Sequence, residues 1–381
     1  MLRLLRCLLL LLVLSGVARA TSLIYAVTYP WTTATRPVAL GHGIPEAQKL
    51  ESVRNAQKTE IYSVSIETGQ RTLLFSDAGP EFEILAPNLA AIHGDKAYVK
   101  GVERHSVTVP FPQIHADPEA IYELALDGSN HFRKLFELDA KNPAGELFLN
   151  PDGSEIATVG DNNGVSIHAL STGALLHSWN VTSMLQEHCP DCLLVSHGWL
   201  ADGKRLFLTL EIGDLDGDSP APTDLAGTYF LTEDGKDAGG LPASAGTINS
   251  AEVRRDPEDV PRLLGQSPNG DYIFWDFAFQ QDSHSPPPAH AQSFVTVGGR
   301  DGKTKQVVPV RASGPWLHLS PSGRFLAYFE SRATKNYQSD YHLWIKDLEA
   351  GTEKEILTGA PGSASIGQNT GLNVIGWDGR N

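Results

Sequence analysis

Short apolar strands separated by tight turns recur along the whole chain. Four segments share one form, in which an apolar run leads into a turn of the Pro-Asp-Gly type and a second apolar run follows. Their turn glycines are Gly153, Gly203, Gly270 and Gly323, and a looser copy has its turn at Gly94. In such turns Pro sets φ, Asp, Asn or Ser caps the turn and Gly takes a positive φ. Each segment therefore predicts a β-hairpin.

A second hairpin follows each of the first ones. Its turn also ends in glycine, as at Gly69, Gly128, Gly173, Gly235, Gly302 and Gly351. Two successive hairpins make a four-stranded antiparallel unit, and such units arranged radially about an axis are the blades of a β-propeller. The repeat therefore predicts an all-β protein built of four-stranded antiparallel blades.

The two ends of the repeat predict the number of blades. Residues Leu372 to Asn381 supply a first strand and its turn, whereas Ser22 to Tyr29 supply a second strand without a first one. Pairing the N- and C-terminal strands in one blade closes the ring and removes exposed strand edges. We predict a six-bladed β-propeller, with seven blades as the alternative if the long interval before Gly94 contains another blade.

The turns and strands resemble those of a known family. The Ser-Pro-Asn-Gly turn at Gly270, the Ser-Pro-Ser-Gly turn at Gly323 and the segments 61–69 and 343–351 resemble the WD40-like repeats of TolB-type six-bladed propellers. The resemblance covers nearly the whole chain after residue 20 and implies the same propeller fold. Because the matching residues are turn and blade-core positions, it implies little about function.

The first twenty residues predict a signal peptide. Two arginines precede the apolar run from Cys7 to Leu14, and the segment ends in Ala18-Arg19-Ala20, small residues of the kind that a signal peptidase recognises. A membrane-spanning helix needs about 20 consecutive apolar residues, roughly twice the length of this run. We expect cleavage after Ala20, export to the periplasm or the medium, and a single monomeric propeller domain over 21–381.

Composition and charge exclude several classes of protein. With 41% hydrophobic and 20% charged residues the chain is neither disordered nor fibrous, and 36 Gly with 24 Pro would interrupt long helices too often for a helical array. The formal net charge of -15 disfavours a nucleic-acid partner, because phosphate-binding surfaces are built from clustered Lys and Arg. After cleavage of the signal peptide no membrane span is expected.

The remaining cysteines, Cys189 and Cys192, lie close together in the sequence. In an oxidising compartment such a pair usually forms a disulfide, which is our prediction. A thioredoxin-like redox centre would require a helix after a strand, whereas the flanking residues predict a loop that enters a strand. A zinc site with His188 and His197 is a further alternative, although the spacing is not an established zinc pattern.

The predicted insertions lie on one face of the ring. Connections between strands one and two, and between three and four, are short and share one face. The long segments belong to the other face: 30–59, 103–120, 211–226, 280–292 and 331–341. Loops on a rigid scaffold commonly carry binding residues. We therefore predict that this face binds a protein or peptide, with functionally neutral loop growth as the alternative.

Several side chains are candidates for binding on this face or at the mouth of the channel. The histidine and carboxylate candidates are His115, Asp117, His197, His284 and His318. His197 and His318 fall in first strands, where they line the channel or are buried with a hydrogen-bond partner. The alternate carboxylates Asp214, Asp216 and Asp218 resemble the start of a calcium loop, but the loop has no bidentate Glu at its twelfth position, so we favour a solvated acidic turn and keep a calcium site as the alternative. No other cofactor is indicated.

An enzyme of this fold would gather acids and histidines around the axial channel. Six and five positions before the turn glycines, the first strands contain one histidine in each row and no carboxylate. The absence of a Gly-x-Ser-x-Gly pentapeptide excludes a propeller peptidase of the serine hydrolase type. The sequence therefore favours a non-catalytic binding protein, and the alternative is a small-molecule or calcium-dependent enzyme with its site at the looped mouth.

Overall fold

A computed structural model provides the structure of the protein. It describes residues 22–30, 57–77, 82–85, 90–107, 113–116, 118–138, 144–160, 163–181, 192–212, 226–242, 244–247, 260–279, 291–312, 317–333, 339–358 and 372–378. Within these ranges the chain forms 26 strands in six antiparallel sheets, which are the blades of a propeller.

Blade 1 combines the two ends of the chain. From the axis outwards its strands are β26 (Leu372–Trp377), β1 (Ser22–Pro30), β2 (Gln57–Ser65) and β3 (Arg71–Ser76). Antiparallel pairing of β1 with β26 places Leu23 opposite Trp377 and Val27 opposite Leu372. The predicted pairing of the terminal strands in one blade is confirmed.

Blade 2 has a divided innermost position. Two short strands pair in succession with one long strand, whose far end forms a projecting hairpin with a further strand. These strands are β4 (Phe82–Leu85), β5 (Ala91–His93), β6 (Lys96–Val107) and β7 (Gln113–Ala116). The outer strands of the blade are β8 (Ala120–Ala125) and β9 (Phe132–Glu137).

The other four blades each contain four consecutive strands, from the axis outwards. Blade 3 contains β10 (Ala144–Leu149), β11 (Glu155–Gly160), β12 (Gly164–Ala169) and β13 (Leu175–Asn180). Blade 4 contains β14 (Cys192–Trp199), β15 (Arg205–Ile212), β16 (Gly227–Thr232) and β17 (Asp237–Pro242). Blade 5 contains β18 (Arg262–Gln266), β19 (Tyr272–Phe279), β20 (Ala291–Gly298) and β21 (Thr304–Val310). Blade 6 contains β22 (Leu317–Leu319), β23 (Phe325–Ala333), β24 (Ser339–Asp347) and β25 (Glu353–Thr358).

The innermost strands close a ring. Going round the axis, β26 contacts β5, and the contacts continue through β10, β14, β18 and β22 back to β26. The prediction of six blades is confirmed and the seven-bladed alternative is wrong. No helix in the described ranges has the length and apolarity needed to cross a membrane.

The core lies between blades, so both faces of each blade are apolar. In β1, Ile24 and Ala26 pack towards Phe82 of blade 2, whereas Leu23 and Tyr25 pack towards blade 6. Successive side chains of a strand point to opposite faces, which is why one strand contributes to two interfaces. Burial of each large apolar side chain stabilises the fold by about 1.5–3 kcal/mol.

Turns of neighbouring blades meet on one face, which we call the turn face. The indole Nε1 of Trp179 in blade 3 donates to the carbonyl of Glu233 in the outer turn of blade 4, at 3.0 Å. Lys354 Nζ in blade 6 donates in the same way to Ile66 O in the outer turn of blade 1, at 2.9 Å. These bonds join blade 3 to blade 4 and blade 6 to blade 1 at their outer edges. We call the opposite face the looped face.

Candidate functional site

Connections differ in length between the two faces. Those of the turn face have two to six residues each, as in 94–95 and 126–131. On the looped face, by contrast, β1 and β2 are joined by 31–56, and β17 and β18 by 243–261. Other connections of the looped face are short, such as 161–163 between β11 and β12 and 334–338 between β23 and β24. The uneven rim that the sequence predicts is therefore present in part. The predicted insertion 331–341 is wrong, because its ends belong to β23 and β24 and only 334–338 join them, and much of 103–120 forms the end of β6 and strand β7.

At the axis, blades 3 and 4 bring a carboxylate and an imidazole together. Nε2 of His197 in β14 lies 2.7 Å from Oε2 of Glu146 in β10. The Glu146 side chain is 55% exposed, whereas that of His197 is 8% exposed and packs beside the ring of Phe148. The carboxylate is thus open to a ligand, and the nearly buried imidazole supports it.

Several polar atoms of β14 lack a well-aligned hydrogen bond. The buried atoms without a hydrogen-bond partner are both ring nitrogens of His197, Oγ of Ser196 and Nε1 of Trp199. The contact between His197 and Glu146 is accordingly a close approach of the two groups with poor hydrogen-bond alignment. Most buried polar atoms in proteins have a partner, so this group marks the inner end of blade 4 as a place for a ligand or ordered water.

The surroundings of Glu146 and His318 shift the pKa of both side chains downwards. The contact with His197 holds the pKa of Glu146 below its usual value, although burial acts in the opposite direction. In β22 burial lowers the pKa of His318 to about 4, and the negative charge of Glu146 opposes this effect only in part. At neutral pH Glu146 is therefore anionic and His318 neutral. Such a pair can accept hydrogen bonds, attract a cationic group or take part in proton transfer.

The structure places two of the sequence candidates near the axis and leaves others untested. His197 and His318 lie on the innermost strands of blades 4 and 6, and Glu146 interacts electrostatically with both. His115 lies on β7, opposite His105, in the hairpin of blade 2. Asp117, His284, Asp214, Asp216 and Asp218 lie outside the described residues.

The predicted disulfide is also untested. Cys192 is the first residue of β14, and Cys189 lies outside the described residues. The pairing of these two cysteines stays a prediction.

Glu146 is a site residue that the sequence analysis missed. The expectation that first strands carry no carboxylate near the axis was wrong. Glu146 lies seven positions before the turn glycine Gly153, one position outside the two positions on which that expectation was based. A bulge shifts the register near Glu146 and another shifts it near Ser196, so strand positions do not align by simple counting. A charged residue in the otherwise apolar run 146–149 was the available signal.

No conventional metal cluster is found in the described ranges. They contain no group of three or more His, Cys, Asp or Glu side chains placed to hold a metal ion. A cation site there would have to include other oxygen ligands such as hydroxyls.

The fold and the axial groups together define a closed six-bladed β-propeller with a carboxylate and two histidines on its innermost strands. Among solved structures, TolB from Acinetobacter baumannii is similar at 14% identity and a TM-score of 0.48, covering 97% of this chain and 70% of that one. The hydrazine synthase of Kuenenia stuttgartiensis is similar at 11% identity and a TM-score of 0.39, over 76% of this chain and 71% of that one. An oligogalacturonate lyase from Vibrio parahaemolyticus has 11% identity and a TM-score of 0.38, over 79% and 71%.

No family model and no curated protein matches the chain. The chain has the propeller fold that its resemblance to TolB-type repeats implied, and this conclusion follows from its own strand order.

Proposed function

We propose that the protein is an exported, non-catalytic propeller that binds a protein or peptide partner through the looped face. The observation that carries this proposal is the unequal length of the connections on the two faces. A ring of blades needs only short connections, as blade 3 demonstrates with 161–163. Long segments confined to one face are therefore best explained by recognition, for which loops on a rigid scaffold are suited.

Charge favours a cationic partner. The chain carries a formal net charge of -15. Attraction between opposite charges speeds association, and salt weakens this attraction by screening it. Export agrees with this proposal, because the first twenty residues have the pattern of a signal peptide. The partner would then be a protein or peptide of the cell envelope or the medium.

The proposal is tested by capture from envelope extract of the source cells, in low and moderate salt, with crosslinking and mass spectrometry. In separate variants the segments 31–56, 213–226 and 280–290 are replaced by the three-residue connection 161–163 of blade 3. We expect the unaltered chain to capture a defined partner, and at least one loop variant to lose it by tenfold or more.

The matched control is a charge reversal on the turn face, Lys303→Glu, at an exposed turn position. This variant should retain capture. Recovery of nothing above background in either salt condition would contradict the proposal, and so would equal loss in the loop variants and in Lys303→Glu.

A small-molecule site, catalytic or not, is the second candidate function. The contact between Glu146 and His197, with the neutral His318 on a third blade, favours it because a carboxylate beside an imidazole suits acid–base chemistry. Glu146→Gln is therefore included in the capture experiment. Loss of capture in Glu146→Gln with retention in every loop variant would favour the axial site over the looped face.

A further inference from the structure

Three buried oxygen atoms without partners lie at the junction of blades 1 and 2. Thr28 in β1 stands opposite Thr59 in β2, and the main-chain N–H of Asp77, just after β3, donates to Thr59 O at 3.0 Å. Thr28, Thr59 and Asp77 are 5%, 0% and 1% exposed. Oγ1 of both threonines and Oδ2 of Asp77 have no hydrogen bond. Unpartnered buried polar atoms are costly, so three of them together indicate a missing occupant.

The two threonines face blade 2. Residues two positions apart in a strand share a face, and Ile24 and Ala26 of β1 pack on the side of Phe82 in blade 2. Thr28 continues this row, as Thr59 continues the row of Ile61. Directly opposite side chains have Cβ atoms about 5 Å apart, which allows one ion with bonds of about 2.4 Å to reach both hydroxyls.

Blade 4 supplies an internal comparison. There Thr209 in β15 and Thr228 in β16 also stand opposite each other, and their hydroxyls hydrogen bond to one another at 3.0 Å. The Thr209 hydroxyl also accepts the N–H of Leu263 in blade 5, at 3.4 Å. A facing pair of buried threonines can therefore satisfy itself. The pair in blade 1 does not, which leaves both of its hydroxyls available to a third group.

The charges around Asp77 favour a cation as that group. Its Oδ1 accepts the N–H of Thr59 at 2.8 Å, which leaves Oδ2 for another group, and Glu83 of blade 2 adds a further negative charge nearby. Lys58 is the nearby cation, but its Nζ lies 2.7 Å from Glu60 Oε1 and its charge is engaged there. Within the described part of the chain, the carboxylate thus has no close cationic partner of its own.

We propose that Thr28 Oγ1, Thr59 Oγ1 and Asp77 Oδ2 bind a hard divalent cation of the calcium type at the junction of blades 1 and 2. Calcium takes carboxylate and neutral oxygen ligands together with water, in flexible geometry. The site is separate from the acidic segment of Asp214, Asp216 and Asp218. All three ligands belong to blade 1, so an ion here would join strands β1 and β2 to the start of the connection that leads from β3 into blade 2.

The test titrates calcium chloride into the chelator-treated full chain, by calorimetry and by thermal unfolding. We expect millimolar calcium to raise the Tm of the unaltered protein by roughly 2–5 °C. In Asp77→Asn the heat of binding and the Tm shift should disappear. This variant should fold, because the amide keeps the size of the carboxylate and an oxygen that accepts the Thr59 N–H.

Two further variants locate the site. Thr158→Val removes a buried hydroxyl that already has a partner, the carbonyl of Ser166 at 3.5 Å, and should keep the calcium response. The triple variant Asp214→Asn, Asp216→Asn, Asp218→Asn should also keep it. The proposal is overturned if calcium has no effect on the unaltered protein, if Asp77→Asn responds like it, or if only the triple variant loses the response.

Discussion

His318 is neutral at physiological pH because of its place inside the ring. Burial lowers its pKa from 6.5 to about 4. The unfolded chain takes up a proton at this residue below about pH 6.5, whereas the native state resists protonation until about pH 4. The stability associated with neutral His318 is therefore complete above about pH 6.5 and is lost progressively as the pH falls towards 4.

His318→Gln should reduce the acid sensitivity of the fold. The neutral amide cannot titrate, so this variant should lose less unfolding free energy than the unaltered protein between pH 7 and pH 4, by on the order of 3 kcal/mol at most. Urea unfolding at pH 7, 5.5 and 4 measures the difference. His131→Gln, at an exposed turn histidine, is the control and should follow the unaltered protein. Parallel pH profiles for all three proteins would contradict the prediction.

Single residues also mark the limit of the sequence analysis at the site. His197 and His318 could be assigned to first strands because each precedes a recognisable turn. Glu146 could not be matched to His197, because bulges near Glu146 and Ser196 are not encoded in the spacing of turn glycines. The same difficulty affects β26. Asp378 N donates to Ser22 O at the end of β26, just as Leu200 N donates to Arg205 O at the end of β14. Asp378 therefore corresponds to Leu200, and counting back from Gly379 as the turn glycine assigns the wrong positions in β26.

Among the elements, the inner turns, which join the innermost strand of a blade to its second strand, were the most predictable. Gly153, Gly203, Gly270 and Gly323 all have φ between 65° and 91°, as the Pro-Asp-Gly pattern requires. The divided inner position of blade 2 was not predictable in the same way. The hairpin of β5 and β6 was predicted from the looser turn at Gly94 and is confirmed, whereas β4 precedes no such turn and is determined by its long-range pairing with β6.

The inner turns do more than reverse the chain, which a pair of glycine substitutions can test. Gly323 has φ +71°, and a Cβ atom there would lie 2.7 Å from Cβ of Ser267 in blade 5. Gly351, in an outer turn, has φ +68° and open space around it. Gly351→Ala should cost about 1–2 kcal/mol for the left-handed conformation alone. Gly323→Ala should cost about 1–3 kcal/mol more, because blades 5 and 6 must separate.

Chemical denaturation of the two alanine variants and the unaltered protein measures these costs. Equal destabilisation by the two substitutions would mean that the inner turns are not packed between blades in solution. A larger cost for Gly351→Ala would mean the same.

For the whole molecule, closure of the ring by β26 holds both ends of the chain in one sheet. Val374 and Trp377 are buried in the interface of blades 1 and 6, and the Trp377 indole donates to His318 O at 3.0 Å. Removing β26 would expose the edge of β1 and the apolar side chains that it covers. With about 1.5–3 kcal/mol for each buried side chain, the loss is comparable with the entire stability of a typical domain, about 5–15 kcal/mol.

A chain that ends at residue 371 should therefore lose cooperative unfolding or aggregate through the exposed strand edge. A chain that ends at Asp378 keeps the whole of β26 and should unfold like the full-length protein. Scanning calorimetry and sedimentation of the two truncated forms measure stability and association.

A circular permutant gives a second test, because Asp378 N lies 2.9 Å from Ser22 O and a short linker can join these ends. With new ends in the exposed turn at Glu349 and Ala350, the permutant should keep its Tm within a few degrees, since β26 then remains in blade 1. Normal unfolding of the chain that ends at 371, or collapse of the permutant, would mean that the ring does not depend on the pairing of its terminal strands.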